Sequence, residues 1–470
     1  MNKLLIIILA TLPGILFSLF FAEPFGSDIY FHYQISKNLV ENNFLPMELT
    51  NFGENIPFGY PPLIHYFTAI LSKLIPLIFI YKVLPWILVS VLIASLYLLY
   101  REYEPSFAIT ATAIYFAIPL YLHSIFAGEI ARLPGLIFLT LTLWMLKRYK
   151  NTFKNEVLIF AGVFYGLTIL SHLYAAALLT ILIFYLVIEQ YHIHRKVNIL
   201  LTILIGLLIA SPWLVYVTMY YGPLYFIKVS TIHSSGILSY IPYLLLTLIG
   251  IITIMGIWKK RFYSIFLILI ILSDIMREFL LIPLAFYIAK YLNKYNKFPF
   301  YTLIIIGLIN TMIILANPQM KPVLNQDLND AITWFNRNAP SEATSIAIKS
   351  NLYYSKNIKE LLFQKLIGHF NKKIDGWDTA LIAKTNHKFY TWFGFEWANE
   401  PKRLEIMGRF WEKICAKEFL EVAHKNKVYP NYLWIRYPNS ANQNYCNDFN
   451  EPNFIKVYQN SEVVIYSINY

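Results

Sequence analysis

The chain has 470 residues, of which 57% are hydrophobic and only 14% are charged, and its mean hydropathy is +0.50. Soluble domains carry about 25% charged residues, so this composition excludes an ordinary soluble globular protein. The net charge of +12 falls in short clusters between apolar runs, which is typical of membrane topology and not of nucleic-acid binding. We therefore predict a multi-spanning α-helical membrane protein with no nucleic-acid partner.

The apolar runs lie within residues 1–316 and recur at lengths near the ~20 residues that cross a bilayer. The first run, residues 4–22, follows Lys3 and lacks a small-x-small cleavage site, so we predict a retained anchor. The run at 61–79 opens with two prolines and is interrupted by a lysine and a third proline. We expect this run to lie along or dip into the membrane without crossing it.

Basic clusters separate the remaining runs, and the positive-inside rule assigns these clusters to the cytoplasm. They lie at residues 101, 147–154, 194–196, 259–261 and 290–297. The predicted crossings are 83–100, 106–124, 133–149, 157–171, 174–189, 197–218, 240–258, 262–273, 279–292 and 300–316. Together with the first anchor they give about eleven membrane-spanning helices of bilayer length and a cytoplasmic N-terminus.

The predicted outer loops, of which residues 23–82 are the first, carry most of the ionisable side chains near the membrane. These residues are Asp28, His32, Glu129, Arg132, His172, His233, Asp274, Arg277 and Glu278. Charges at the membrane edge are costly and usually mark a functional path. The pattern predicts a polar site on the extracytoplasmic face.

Asp28 and His32 are four residues apart, and they share one face if residues 29–42 form a helix. Asp28 is then either an N-cap, whose oxygen satisfies free helix amides, or a catalytic carboxylate at the membrane surface. Both interpretations remain open on this pattern alone.

The other outer residues also allow two interpretations each. Glu129 and Arg132 can form a local i,i+3 ion pair, but holding both charges at membrane depth costs desolvation and favours a function. His172 is either a structural histidine at a tight turn or a group that binds substrate. Arg277 is either an interfacial arginine or a bidentate ligand of a lipid phosphate.

A divalent cation is a further possibility at this face. Carboxylate and imidazole groups suit Mn²⁺ or Mg²⁺, and the candidate ligands are Asp28, His32, Glu129 and His172. No ligand spacing in the sequence favours such a site.

Residues 317–470 have the pattern of a small soluble α/β domain. Residues 325–338 form an amphipathic helix by periodicity, residues 400–426 are predicted to be helical, and Asn460-Ser461 is predicted to turn a hairpin. The predicted strands are 344–348, 432–437, 454–459 and 462–468. We divide the chain into a transmembrane domain, 1–316, and an extracytoplasmic domain, 317–470.

Cys415 and Cys446 are the only cysteines. If the tail is extracytoplasmic, we expect them to pair, closing a loop that stabilises the fold by about 3–4 kcal/mol in the chain-entropy model.

Several short motifs occur in one order and on one predicted face. These are Asp28 with His32, Tyr60-Pro61-Pro62-Leu63, Gly128-Glu129-x-x-Arg132, Ser171-His172-x-x-Ala175, and the run from Arg277 to Leu284. In this order the chain resembles the GT-C superfamily of polyprenyl-phosphate-sugar-dependent glycosyltransferases, particularly its small archaeal-type members.

The resemblance implies a role for each matched residue. Asp28 would be the general base or a carboxylate that orients the acceptor. Glu129 would be the second acid, and Arg277, with Arg132, the positive charge at the departing phosphate. His32 and His172 would contact substrate. The chain lacks the Trp-Trp-Asp-Tyr-Gly motif of oligosaccharyltransferases, and we expect its nearest match, Gly376-Trp377-Asp378, to be a surface turn.

The sequence therefore predicts an inverting membrane glycosyltransferase. The donor would be a sugar on a polyprenyl or dolichyl phosphate, and the acceptor would be a glycan, lipid or protein outside the cytoplasm. The alternatives are a transporter or flippase for a lipid-linked glycan and a non-catalytic scaffold. The absence of charges at mid-membrane and of paired broken helices favours the enzyme.

Overall fold

The computed structural model describes a helical bundle joined to a five-stranded sheet. The described residues are 3–26, 28–43, 48–49, 56–118, 122–126, 128–189, 193–223, 225, most of 281–292, 300–315, 324–348, 377–385, 387–390, 416–436, 452–461 and 463–470. Several predictions lie outside these residues: the site residue Arg277, the outer-loop residues His233, Asp274 and Glu278, both cysteines, and the crossings at 240–258 and 262–273.

Most helices overlap the predicted apolar runs, but the predicted crossing at 106–124 is not one helix, because its first helix ends at Ala117. In the first half they are α1 (Lys3–Leu9), α2 (Leu12–Leu19), α3 (Asp28–Glu41), α4 (Leu63–Leu71), α5 (Leu77–Tyr103), α6 (Ala108–Ala117), α7 (Leu122–Phe126), α8 (Arg132–Thr152), α9 (Asn155–Ser171), α10 (Leu173–Glu189) and α11 (Ile193–Tyr221). A two-stranded ribbon of β1 (Glu48–Leu49) and β2 (Ile56–Pro57) lies between α3 and α4. Helix α12 (Phe300–Leu315) precedes the tail.

The first apolar run is two helices and not one. Helix α1 ends at Leu9 and α2 begins at Leu12, with Pro13 in its first turn, where the missing N–H costs nothing. At the break, the Thr11 hydroxyl donates to the Ile8 carbonyl and bonds Ser90 of α5, both at 2.7 Å. The break is thus fixed by a proline and by a polar contact to the next long helix.

The run at 61–79 is interrupted as the sequence predicts. Helix α4 has nine residues, and α5 begins only at Leu77, after Pro76. Nine residues rise about 13 Å, which is less than half of the hydrocarbon core of a bilayer. Helix α4 is therefore too short to cross.

The two ends of the helical bundle carry different charged groups. Helix α8 rises about 30 Å from Arg132 to Thr152. At its far end Asn151 bonds Glu102 at 2.9 Å, and Tyr149 accepts from Asn198 at 2.6 Å. These contacts gather three of the basic clusters at one end, whereas Arg132 lies at the other.

Glycines set the packing of α9 on α11. Gly162 and Gly166 are four apart on α9 and face Ile205 and Ile209, whose side chains occupy the space that a Cβ would need. Gly206 of α11 packs in turn against the Tyr165 ring. Small residues at this spacing allow close helix approach in a membrane.

Two of the described helices, Leu77–Tyr103 and Val197–Tyr221, are long and apolar enough to cross a membrane by length and composition. Shorter apolar helices accompany them at Lys3–Leu19, Ala108–Ala117, Asn155–Ser171, Leu173–Phe184 and Phe300–Met312. The total of about eleven crossings and the cytoplasmic N-terminus stay predictions.

The tail contains the predicted strands. Its elements are α13 (Gln326–Asn338), β3 (Thr344–Ile348), α14 (Trp377–Lys384), β4 (Lys388–Tyr390), α15 (Ala416–Asn426), β5 (Tyr432–Arg436), β6 (Phe454–Gln459) and β7 (Val463–Ile468). The sheet order is β4-β3-β5-β7-β6, parallel in its first two pairings and antiparallel in the rest. Helix α13 buries Leu328, Ile332 and Phe335, each contributing about 1.5–3 kcal/mol by removal from water.

The expected surface turn at Gly376-Trp377-Asp378 is wrong at its last two residues. Trp377 and Asp378 begin α14. This helix packs against α3 and buries Leu381 and Ile382 completely, so burial of its apolar face favours the helix over a turn.

One hydrophobic core joins the first outer loop to the tail. It runs from Phe31 and Ile64 through Leu381 to Trp434 and Ile465 without interruption. The tail therefore packs directly on α3, through α14.

Candidate active site

The loop that carries Glu129 rests on the start of α3. Gly128 has φ +83°, and a Cβ there would overlap the Ile29 backbone nitrogen and lie 3.0 Å from that of Asp28. Only glycine adopts this positive φ without strain and, having no Cβ, leaves room for the neighbouring backbone. The sequence-predicted acids Asp28 and Glu129 are thus held on adjoining pieces of backbone.

Asp28 is the first residue of α3, and its side chain is partly buried. A carboxylate in the first turn is favoured by the free amides and the positive end of the helix dipole. The helix includes Asp28, which therefore does not precede the helix as a separate cap.

Glu129 and Arg132 form the i,i+3 ion pair that the sequence allowed. Arg132 Nη2 contacts Glu129 Oε2, and the Arg132 amide donates to the Glu129 carbonyl at 3.0 Å. The Arg132 side chain is only 7% exposed and that of Glu129 28%. Desolvation of a buried ion pair offsets much of the attraction between its charges. The pair therefore adds little to fold stability, which alone is a weak explanation for the presence of these charges.

His172 packs one helical turn farther along α8. A Cβ on Gly135 would lie 2.6 Å from His172 Cβ, so the glycine admits the imidazole. Nδ1 of His172 accepts from the Ala175 amide at 3.3 Å and caps α10. Because Nδ1 accepts a hydrogen bond, the proton of the neutral imidazole is on Nε2, which can therefore donate.

His32 is buried and bonded to a histidine that the sequence reasoning missed. His32 Nδ1 and His65 Nε2 are 2.9 Å apart, and the two side chains are 2% and 0% exposed. The ring of Tyr60 stands edge-on to both imidazoles, with centroids at 5.2 and 5.4 Å. His65 gave no signal because a lone histidine in an apolar run matches the pattern of a core residue.

Burial determines the charge of this histidine pair. Desolvation lowers the pKa of His32 to about 3. Desolvation and the neighbouring His32 lower the pKa of His65 well below its usual value, while the Pro61 carbonyl partly opposes the shift. Both rings are therefore neutral at pH 7, and one N–H is shared between them.

A hydroxyl cluster extends the contact between α3, α4 and α5. Ser36 Oγ lies 2.7 Å from both Thr68 Oγ1 and Tyr81 Oη, and Tyr81 donates to the His32 carbonyl at 2.8 Å. These bonds fix the helix that carries Asp28 on its neighbours.

The structure does not gather every predicted residue. Arg277 lies outside the described residues. Within the part of the chain that the structure describes, no three His, Cys, Asp or Glu side chains form a group able to hold a metal ion. Asp28, His32 and Glu129 therefore do not form such a group, and His32 Nδ1 is engaged by His65.

A comparison with protein families gives one match. The family model described as dolichyl-phosphate-mannose-protein mannosyltransferase matches residues 59–216, about a third of the chain. The matched region runs from the start of α4 into α11, and it includes Glu129, Arg132 and His172. No curated protein matches the chain.

The match confirms the resemblance to the GT-C superfamily, since that mannosyltransferase family is of GT-C type. By its description, the matched family transfers mannose from dolichyl-phosphate mannose to protein, and the match covers about a third of this chain.

Proposed function

We propose that the chain transfers a sugar from a dolichyl or polyprenyl phosphate to an acceptor on the extracytoplasmic side. The observation that supports this proposal most directly is the convergence of Asp28, Glu129, Arg132 and His172. They come from three segments of the chain: Gly128 lies against the backbone of Asp28, Glu129 pairs with Arg132, and Gly135 packs against His172.

The proposed reaction is an inverting displacement at the sugar C1. The acceptor oxygen attacks C1 while the Asp28 carboxylate removes its proton. The bond between C1 and the phosphate oxygen breaks, and the phosphate departs with its electron pair. Arg132, and Arg277 from its predicted helix, would stabilise the negative charge that develops there.

The remaining groups have supporting roles in this proposal. Glu129 holds Arg132, and His172 donates from Nε2 to the donor headgroup. His32 was predicted to bind substrate, but its burial against His65 favours a role in holding α3.

The proposed orientation places α3, the Glu129 loop and the tail outside the cytoplasm. Two observations support it: the tail shares a hydrophobic core with the first outer loop, and the basic clusters at 101 and 147–150 lie at the opposite end of the bundle. Cytoplasmic enrichment of Lys and Arg then orients the bundle.

The test is turnover by the full chain in lipid nanodiscs. Radiolabelled dolichyl-phosphate mannose is supplied with peptide, lipid and glycan acceptor pools, and loss of label from the lipid is measured. Asp28→Asn is expected to lower kcat by roughly 10²–10⁴-fold with donor binding retained, since a general base contributes that much.

Glu41→Gln is the matched control, because Glu41 is an exposed acid at the other end of α3. It is expected to leave turnover unchanged. A wild-type chain that binds the lipid but never consumes it would favour the flippase or scaffold instead.

A further inference from the structure

One lysine of the tail reaches the first outer loop. Lys384 Nζ donates to Glu23 Oε1 at 2.8 Å, and the other carboxylate oxygen of Glu23 accepts from Tyr30 Oη at 3.3 Å. Lys384 is the last residue of α14, whereas Tyr30 lies in the first turn of α3. The three side chains form a bridge between elements about 350 residues apart in the chain.

The bridge is largely shielded from water. The Glu23 side chain is 12% exposed and the Lys384 side chain 24%, while Tyr30 is fully buried. Burial and the Glu23 carboxylate raise the pKa of the Tyr30 phenol, which therefore stays protonated and donates. Removing one charged group of such a pair leaves the other poorly solvated and without its ion-pair partner.

The bridge holds the end of α3 that carries Asp28. Tyr30 is two residues beyond Asp28, and the Gly128 loop packs on the same end from another side. The buried residues Leu381 and Ile382 fix α14 in the shared core, so the lysine at its end is presented from a rigid element.

We propose that Lys384 is a positioning residue for the transfer reaction, because its bridge through Glu23 to Tyr30 sets the place of Asp28. This inference rests on the proposed function. Lys384 acts through α3 and touches neither the sugar nor the phosphate.

The experiment compares Lys384→Glu, Lys384→Met, Lys384→Arg and the charge swap Glu23→Lys with Lys384→Glu, all in the full chain in nanodiscs. The matched control is Lys388→Glu, since Lys388 is an exposed lysine four residues farther along in β4. Two quantities are measured: hydrogen exchange of residues 28–41, and kcat and KM with dolichyl-phosphate mannose.

For Lys384→Glu we expect kcat to fall roughly 10²-fold, the cost of a small misplacement of a catalytic group, with KM for the donor unchanged. Exchange of the first turn of α3 is expected to accelerate roughly tenfold as local opening becomes easier. Lys384→Met falls between this variant and wild type, and Lys384→Arg retains turnover. The charge swap restores the ion pair but not the Tyr30 bond, because a lysine at position 23 accepts no hydrogen bond, and we expect it to recover part of both quantities. Lys388→Glu changes neither.

Wild-type exchange and wild-type kcat in Lys384→Glu would overturn the proposal. A charge swap that recovers none of the lost kcat while the chain stays folded would do the same. If wild type turns over no donor, the proposed function fails, but hydrogen exchange still shows whether Lys384 holds α3.

Discussion

His32 Nδ1 and His65 Nε2 share a hydrogen bond of 2.9 Å in a place closed to solvent. The bond links α3 to α4 and needs one ring to donate while the other accepts. A proton added to either ring places a charge in a dry, aromatic environment.

This pair makes stability depend on pH. The pKa of His32 is about 3 in the folded chain and near 6.5 in the unfolded chain, so the unfolded state binds more protons between these values. Stability is therefore complete above about pH 6.5 and falls as the pH drops, by up to about 1.4 kcal/mol per pH unit for each such histidine. Thermal unfolding in detergent from pH 7.5 to 4.5 measures the slope.

The control for this slope is the double variant His32→Gln with His65→Gln, whose amides cannot titrate. It is expected to flatten the slope, and an unchanged slope would show that other groups cause it.

Gly128→Ala tests the close contact between the Glu129 loop and α3. The matched control is Gly222→Ala, because Gly222 has φ +82° but nothing within 4 Å of an added Cβ. We expect the control to cost only the strain of a left-handed alanine, about 1–2 kcal/mol. Gly128→Ala is expected to cost about 2 kcal/mol more by displacing backbone, and to lower turnover. Equal melting temperatures for the two variants would refute the contact.

The Glu129–Arg132 pair is expected to behave as a buried pair. Arg132→Met alone strands the Glu129 carboxylate and costs about 2–4 kcal/mol, discounted for the partial exposure of Glu129. Adding Glu129→Gln recovers more than half of that loss. The exposed pair Lys37–Glu41, at 3.8 Å, is the comparison, and Lys37→Met should cost at most about 0.5 kcal/mol. Chemical unfolding of wild type, Arg132→Met, Glu129→Gln and the double variant gives the coupling energy directly.

Gln34 and Asn38 provide a test of buried polarity on α3. Gln34 Nε2 donates to Asn38 Oδ1 at 2.9 Å, while Gln34 Oε1 and Asn38 Nδ2 are buried with no hydrogen-bond partner among the described residues. Replacing both by apolar residues, Gln34→Met with Asn38→Leu, should be near neutral, because both unsatisfied groups disappear together. Asn38→Leu alone should cost about 1–3 kcal/mol. A double variant as unstable as the single one would indicate a polar partner for this pair.

The sequence predicted most of the described elements because their signals are local. The periodicity of α13, the alternation of β6 and β7 and the prolines before α4 each act within a few residues. Where the prediction failed, a distant partner decided the outcome. Trp377 and Asp378 form a helix because α14 buries its apolar face on α3.

The charged residues of the candidate site could be predicted from the sequence, but the residues that hold them in place could not. Asp28, Glu129, Arg132 and His172 stand out because ionisable groups are rare in so apolar a chain. His65, Gly128 and Lys384 matter only through partners that lie 33 or more residues away. The spacing of residues in the sequence does not indicate such long-range contacts.

The core shared by α3 and the tail sheet also dictates the order of assembly during synthesis. The face of α3 that packs against α14 lacks this partner until residue 384 has emerged, about 20–70 s after α3 at ~5–20 residues per second. During this interval α3, which carries Asp28, is only partly packed. A chain whose synthesis stops before α14 therefore leaves α3, with Asp28 at its start, incompletely packed.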